Sequence, residues 1–408
     1  MTSVYGTQEQ PKYAVLIGDG MADQPMPELG ERTPLQAART PNMDLMASRG
    51  RSGMVRNVPT GMSPGSDVAI LSILGYDPGI YYTGRAPLEA ARLGIHLSKD
   101  QTAFRCNLIT VEGGNIVDYA AGHISSEEAK ELVVFLDQRL GDDSIKFYPG
   151  MSYRNICVFK GLQPDEVECT PPHDVMGQPM ENHLPSGKKS GLLRELMLRS
   201  LPLLEQHRVN ISRTNRHLNP ANMIWLWGQG TTPTMPMFKD RFGLDGGVIS
   251  AVDLVQGLAK LLGLQCIDVP GATGYYDTNY QGKGDYACRF LRDSDFILVH
   301  VEAPDEASHN ADLDEKIRSI ERFDEMVVGP VYRQLMALPR FRIMVLPDHP
   351  TPIRLRTHTS DPVPFVCQGE GIPADDAECY SETDARRSGL EFDHGHELIE
   401  AFIRRQKW

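Results

Sequence analysis

The sequence lacks most of the features that would assign it at a glance. Its seven cysteines (Cys106, Cys157, Cys169, Cys266, Cys288, Cys367 and Cys379) are scattered, odd in number and form no CxxC pair. That excludes a disulfide framework and a thiolate metal knot, and it fits a reducing compartment, the cytoplasm. No stretch approaches the ~18 consecutive apolar residues of a membrane span, so no membrane partner is expected. The opening MTSVYGTQEQPKYAV has neither an apolar core nor twin arginines, and no secretory signal is read there. No GxxxxGK[ST] occurs, which counts against an ordinary nucleotide-dependent kinase. Basic residues are outnumbered, 41 Lys+Arg against 54 Asp+Glu for a net charge of −13. This argues against a nucleic-acid partner but leaves room for a local basic pocket around a small anion.

What is present is ordinary globular composition, 41% hydrophobic and 23% charged over 408 residues, enough for two or three domains with full cores. Tyr13–Ile17, Met223–Trp227, Phe296–Val301, Arg342–Leu346 and Val363–Cys367 are compact apolar runs that stop at Gly, Pro or polar clusters. They read as strands covered on both faces. Asp312–Leu338 and Gly247–Leu264 carry apolar residues at three- and four-residue steps and read as helices. Strands alternating with helices predict an α/β layered sheet. The stretch from Ala86 to Leu218 differs. It offers strand candidates at Arg105–Val111 and Asn155–Phe159, an exposed helix near Ser125–Leu140 and a Pro-rich tract at Thr170–Pro185. It reads as a smaller α/β domain, residues 86–218, inserted between the two halves, 1–85 and 219–408, of the first.

Ligands of open α/β sheets gather beyond the carboxyl ends of the strands. Here the first strand ends in Gly18-Asp19-Gly20. The run FILVHVE leads into Asp305 and His309, and RIMVLP ends in Asp348-His349, followed by His358. Carboxylate plus imidazole is a ligand set for a divalent cation such as Mn²⁺ or Zn²⁺. Asp305 and His309, four residues apart, share a face if the segment is helical. Asp348 and His349 point in different directions and could serve two neighbouring metals, the usual clamp on a phosphoryl group. Asp19 or Asp305 alone could equally be a helix cap, and a single Asp-His pair says little by itself. His394 and His396 precede the terminal helix and read as surface or capping residues, and His300 is unremarkable on its own.

Ser66 follows a Gly/Pro-rich turn, Thr60–Gly65, and falls in the first turn of an apolar helix, where free N–H groups favour an anion. It is a candidate nucleophile if a metal activates it, and otherwise an N-cap. Ser63 is the runner-up.

These segments resemble the archaeal-type cofactor-independent phosphoglycerate mutases of the alkaline phosphatase superfamily. The resemblance rests on Gly18-Asp19-Gly20, Pro64-Gly65-Ser66-Asp67, Leu74-Gly75-Tyr76-Asp77-Pro78, Tyr82-Thr83-Gly84-Arg85-Ala86-Pro87, Arg105-Cys106-Asn107, Gly274-Tyr275-Tyr276-Asp277-Thr278, Asp305–His309, Asp348-His349 and His358-Thr359. It implies an alkaline-phosphatase-like layered sheet domain interrupted by a smaller inserted α/β domain. It also implies a glycolytic isomerase that interconverts 3-phosphoglycerate and 2-phosphoglycerate, with Ser66 transiently phosphorylated and the glycerate trapped between the domains. Two divalent metal ions are implied, Mn²⁺ or else Zn²⁺ or Mg²⁺, one held by Asp19, Ser66, Asp348 and His349 and the other by Asp305, His309 and His358. The small phosphorylated substrate needs cations, for which Arg85, Arg154 and Lys283 are candidates, while His173 and Asp174 could handle protons on the departing hydroxyl.

Two departures from the family pattern bear on the acceptor. The first motif continues Met21-Ala22-Asp23-Gln24-Pro25, and Ala121-Gly122-His123-Ile124 has His123 where arginine is usual. Both are similar to an offshoot of the family proposed to phosphorylate homoserine. The same site on another small acceptor, or a phosphatase, is therefore the alternative. A binding protein with a structural metal is disfavoured, because seven ligands for two metals leave open positions.

Overall fold

The computed structural model describes residues 10–404. Residues 1–9, most of the segment read for a secretory signal, lie outside the described residues. In chain order the strands are β1 (Lys12–Gly18), β2 (Arg51–Val55), β3 (Gln101–Glu112), β4 (Asn115–Asp118), β5 (Ile145–Met151), β6 (Arg154–Lys160), β7 (Met223–Gly230), β8 (Gly246–Ile249), β9 (Gln265–Cys266), β10 (Phe296–Val301), β11 (Phe341–Leu346), β12 (Val363–Gly369) and β13 (Glu391–Phe392). The chain divides into two compact units, one running up to Tyr82 and resuming at Met235, the other Thr83–Thr234. No helix among the described residues is long and apolar enough to cross a membrane.

The first unit is built on an eight-stranded sheet in the order β13-β2-β12-β11-β1-β10-β8-β9. Its centre is parallel: β1 lies between β10 and β11, and β8 joins β10. Parallel strands are covered on both faces, which is why Ala14–Ile17 and Phe296–Val301 are wholly buried and apolar apart from His300. One face packs against Ile320, Phe323, Val327 and Val331. These residues come from a helix, Leu313–Phe323, that continues through a π-helical stretch, Asp324–Val328, into Gly329–Met336. The expected helix at Gly247–Leu264 begins only at Asp253, because Gly246–Ile249 is strand β8. A Cβ on Gly246 would meet Phe296 at 2.9 Å. Close strand approach, not helix, accounts for the paired glycines.

Register fixes the site. Ile17 pairs with His300 on one side and with Leu346 on the other. Asp19 and Asp348 therefore each stand two residues beyond a matched pair, at the carboxyl edge of the sheet.

The second unit is an antiparallel sheet, β4-β3-β6-β5, with β7 on the free edge of β3. The placement of β7 corrects the expectation that Met223–Trp227 belongs to the layered sheet and that the inserted segment ends by residue 218. An apolar run reports burial on both faces but not the sheet that provides it, and β3 takes β7 as its neighbour. The helices Ser126–Leu140 and Ser190–Glu205 supply Leu132, Val133, Leu136, Leu193, Leu196 and Met197 to the core. The first of these helices is therefore amphipathic and half-covered, not exposed. The helix Arg85–Arg92 packs Ala86 and Ala90 on Ala103, Ile156 and Val158.

Phe104 is fully buried in this core and lies edge-on to Phe159, with ring centroids 5.1 Å apart. Phe104→Ala should cost about 3–5 kcal/mol. Urea denaturation followed by tryptophan emission reads chiefly this unit, since two of the three tryptophans, Trp225 and Trp227, lie in it; an unchanged midpoint would show that the ring is not part of a tight core.

Candidate metal centre

Asp19 leaves β1 with its backbone N–H donating to the Val301 carbonyl, 3.0 Å away. The next residue must turn sharply. Gly20 has φ +62°, and a Cβ there would lie 2.5 Å from Thr351 Oγ1 and 2.7 Å from Asp305 Oδ1, so only glycine lets the two strand ends approach. Asp348 follows β11, where its Oδ1 accepts from the N–H groups of Gly20 (3.2 Å) and His349 (2.9 Å). Asp305 and His309 share one face of the short helix Ala303–His309, with Oδ2 and Nε2 3.2 Å apart. His358 Nε2 comes within 3.3 Å of Asp305 Oδ1 and 2.9 Å of His309 Nε2.

Three sets of side chains bring one ligand atom each to within 4.8 Å of one another: Asp305 with His309 and His358, Asp19 with His300 and Asp348, and Asp19 with Asp305 and His349. The six strand-end residues singled out from the sequence therefore converge, and His300 joins them. His300 escaped the sequence reading because it stands inside an apolar strand and not after it. The signal was there all the same, as the one polar residue in the six of FILVHV.

The electrostatics are those of crowded anions. Burial, then the charges of Asp348 and Asp305, push the Asp19 carboxyl well above the usual range. Burial would also raise Asp305, but the His309 and His358 imidazoles outweigh it and hold that carboxyl well below its ordinary value. For His300 burial acts downward, yet Glu302 and Asp19 prevail and push it up to about 10. Asp19 Oδ1 and Asp348 Oδ2 are buried without any hydrogen-bond donor. Buried carboxylate oxygens left this way are costly unless a cation supplies the missing charge.

Ser66 opens the helix Ser66–Ile73, and Gly65, not Ser66, occupies the capping position. The serine hydroxyl is therefore not spent on a cap. Its Oγ lies 3.3 Å from Asp19 Oδ2 and 3.4 Å from His349 Nε2. Asp67 beside it is buried and accepts a 2.5 Å hydrogen bond from the Tyr82 hydroxyl.

Among the expected substrate contacts, Lys283 is corrected. It is fully buried, and its Nζ donates to Glu302 Oε2 (2.8 Å) and the His300 carbonyl (2.9 Å). Its charge is committed inside the first unit and does not face a substrate. Arg85, Arg154, His173 and Asp174 all lie in the second unit. The charges of Arg85 and Arg154 both act on Arg105, which the sequence offered within Arg105-Cys106-Asn107 but not as a substrate contact. Arg105 is gripped by Glu89 through two contacts of 3.1 Å and lies 4.2 Å over the Trp227 ring. His173 packs edge-on against Trp227 and Tyr119, and Arg154 covers Tyr153. His123 packs near Tyr153 and takes φ +48°, in a turn where Ala121 and Gly122 are also left-handed. This face is cationic and aromatic, suited to a small anion.

The chain matches the family model for 2,3-bisphosphoglycerate-independent phosphoglycerate mutase over residues 47–210. It is 53% identical to the protein of that name from Methanothrix thermoacetophila, over 96% of this chain and 99% of the relative. Among solved structures, a protein of Pyrococcus horikoshii matches with a TM-score of 0.83 at 31% identity, covering 98% of this chain and 99% of that one. The cofactor-independent phosphoglycerate mutase of Thermoplasma acidophilum matches with a TM-score of 0.66 at 28% identity, covering 97% and 99%.

Within the second unit, burial and then the charges of Arg105 and Arg85 lower the His173 pKa, while Asp174 opposes them. His173 should titrate below the ~6.5 of an ordinary histidine, and Asp174→Asn should lower the midpoint further. Proton NMR of its imidazole resonance reads both. A midpoint at or above the ordinary value, or one that rises in the variant, would contradict this account.

Proposed function

The chain belongs to the family of 2,3-bisphosphoglycerate-independent phosphoglycerate mutases, and on that premise we propose that it interconverts 3-phosphoglycerate and 2-phosphoglycerate through two divalent cations and a phosphorylated Ser66. The observation that carries this reading is the uncapped Ser66 hydroxyl, 3.3 Å from Asp19 and 3.4 Å from His349 at a helix N-terminus. The names of relatives at 49–53% identity favour phosphoglycerate over homoserine as the acceptor's source.

The donor set fits hard-to-borderline cations, and the unpartnered oxygens of Asp19 and Asp348 argue for positive charge beside them. Asp19, Ser66, Asp348 and His349 would hold one cation, and Asp305, His309 and His358 the other, with Mn²⁺ the expected species. When bound, such cations neutralise the transferring phosphoryl group and lower the pKa of the serine hydroxyl.

Ser66 Oγ attacks phosphorus, so that an Oγ–P bond forms as the bond from phosphorus to the substrate's 3-oxygen breaks. The serine gives up its hydroxyl proton as it attacks and the departing 3-oxygen takes one up, so the half-reaction consumes and releases no net proton. In the second half the 2-hydroxyl loses a proton and attacks the phosphoserine, returning Ser66. The free N–H groups of the first helical turn favour the phosphoryl anion on Ser66. His173, whose pKa is lowered by partial burial and its arginine neighbours, is suited to accept the proton that the attacking 2-hydroxyl releases. Arg85 and Arg154 offer the bidentate grip that carboxylate and phosphate require. Both half-reactions depend mainly on positioning and charge neutralisation. We place the enzyme in the cytoplasm, where scattered thiols stay reduced and the phosphoglycerate pool resides.

Purified protein with Mn²⁺ and 3-phosphoglycerate should generate the 2-phosphoglycerate signal in phosphorus NMR; persistence of the starting signal alone would exclude mutase activity. Ser66→Ala should lower turnover by about a thousandfold or more without altering the circular dichroism spectrum, and full activity would remove the serine from the reaction. Chelation should silence the enzyme and added Mn²⁺ should restore it, whereas indifference to chelator would contradict the cation requirement.

A further inference from the structure

His300 is fully buried in a strand that is otherwise apolar, and a network fixes its ring. Nδ1 lies 3.2 Å from Glu302 Oε1 and 3.1 Å from Ser250 Oγ. Glu302 is in turn clamped by Lys283 Nζ at 2.8 Å, by Ser250 Oγ at 3.1 Å and by the Ala251 N–H at 3.0 Å. Nδ1 is thus committed to a carboxylate, and Nε2 faces the other way, 3.0 Å from Asp19 Oδ2. Those two atoms are close but not aligned as donor and acceptor. Among the described residues Nε2 has no hydrogen-bond partner, nor do Asp19 Oδ1 and Asp348 Oδ2. Asp19, His300 and Asp348 bring one ligand atom each to within 4.8 Å of one another.

The same arrangement recurs at the other histidines of the centre. Nδ1 of His309 faces the Arg356 carbonyl (3.0 Å), that of His349 the Thr351 hydroxyl (3.3 Å), and that of His358 the Pro64 carbonyl (3.4 Å). In each, Nε2 is left for the centre. An oxygen partner on one ring nitrogen is the usual companion of a metal on the other. At His300 that partner is a carboxylate held by a buried lysine.

The geometry points to His300 as a fourth histidine of the metal centre, ligating through Nε2 a cation shared with Asp19 and Asp348. This rests on the cation-bearing reading proposed above and extends it by one ligand outside the two sets named there. The charges support it. Lys283 and Glu302 cancel, and a divalent cation that displaced the protons from His300 and Asp19 would face two carboxylate charges that it balances. It also accounts for Lys283, whose burial carries a heavy desolvation cost and which would otherwise serve only to hold Glu302.

The test uses the full chain labelled with ¹⁵N-histidine, stripped of metal and loaded with Co²⁺. A histidine bound through Nε2 gives a hyperfine-shifted Nδ1–H resonance, so four are expected in the native protein and three in His300→Asn. Glu302→Gln, which keeps an oxygen acceptor, should retain all four while Co²⁺ affinity at one equivalent falls about tenfold or more. Three shifted resonances in the native protein, all surviving in His300→Asn, would overturn the assignment and leave His300 as a residue that orients Asp19. Because the count in the native protein decides, a variant that misfolds does not blunt the test. Elemental analysis separates the two levels of the argument: fewer than two Co²⁺ per chain would remove the dinuclear reading itself, whereas two Co²⁺ with only three shifted resonances would remove His300 alone.

Discussion

The centre depends on a cost that three parallel strands impose together. Because β1, β10 and β11 lie side by side in matched register, their continuations deliver Asp19, Asp305 and Asp348 to the same edge of the sheet, where all three are buried. Burial, and then the repulsion of like charges brought so close, drive Asp19 toward its neutral form. A fold has no reason to accept this repulsion for stability. Every neighbouring feature is better understood as an answer to it: the histidines facing inward, the backbone N–H groups on Asp348, and the serine placed within reach of Asp19.

Two buried lysines stand behind the carboxylates and treat the two halves of the centre alike. Lys283 reaches Asp19 through Glu302 and His300. Lys316, equally buried, pairs with Asp23 at 2.7 Å and donates to the Thr351 carbonyl at 3.0 Å, while the Thr351 hydroxyl donates to Asp305. Neither ammonium touches a strand-end carboxylate of the centre directly. Direct contact would neutralise the anions and remove any use for a cation. The intervening residues, Glu302 and His300 on one side and Thr351 on the other, fix the orientation of Asp19 and Asp305 without an ammonium pairing with either, and buried ion pairs of this kind are better justified by position than by net stability.

What the sequence made legible follows from where the chemistry sits. Asp19, Asp348 and His349 come directly after apolar runs, where a polar residue stands out, and the four-residue spacing of Asp305 and His309 survives as one face of a helix. Lys283 misled because Gln281-Gly282-Lys283 reads as a polar surface segment. Only the packing of the helix Tyr280–Asp293 against β10 reveals that this lysine points into the interior. His300 was hidden for the opposite reason: in a strand covered on both faces there is no polar side for it to mark. Likewise Met223–Trp227 announced burial but not partnership, so its place in the second unit's sheet came only from the pairing with β3.

The position of Ser66 raises the last structural question, since a helix N-terminus alone does not fix a hydroxyl to within ångströms of a carboxylate. Gly65 at the cap contributes no side-chain bond. The constraint comes instead from the loop before it. Asn57 donates to the Asp348 carbonyl at 2.9 Å, and the Pro64 carbonyl faces His358 Nδ1 at 3.4 Å. The segment that delivers the serine is therefore pinned at both ends by residues of the centre it serves. The loop before Ser66 is thereby tied to one residue of each proposed ligand set. Ser66 and the candidate ligands are then set by one network, and neither depends on the helix dipole for its place.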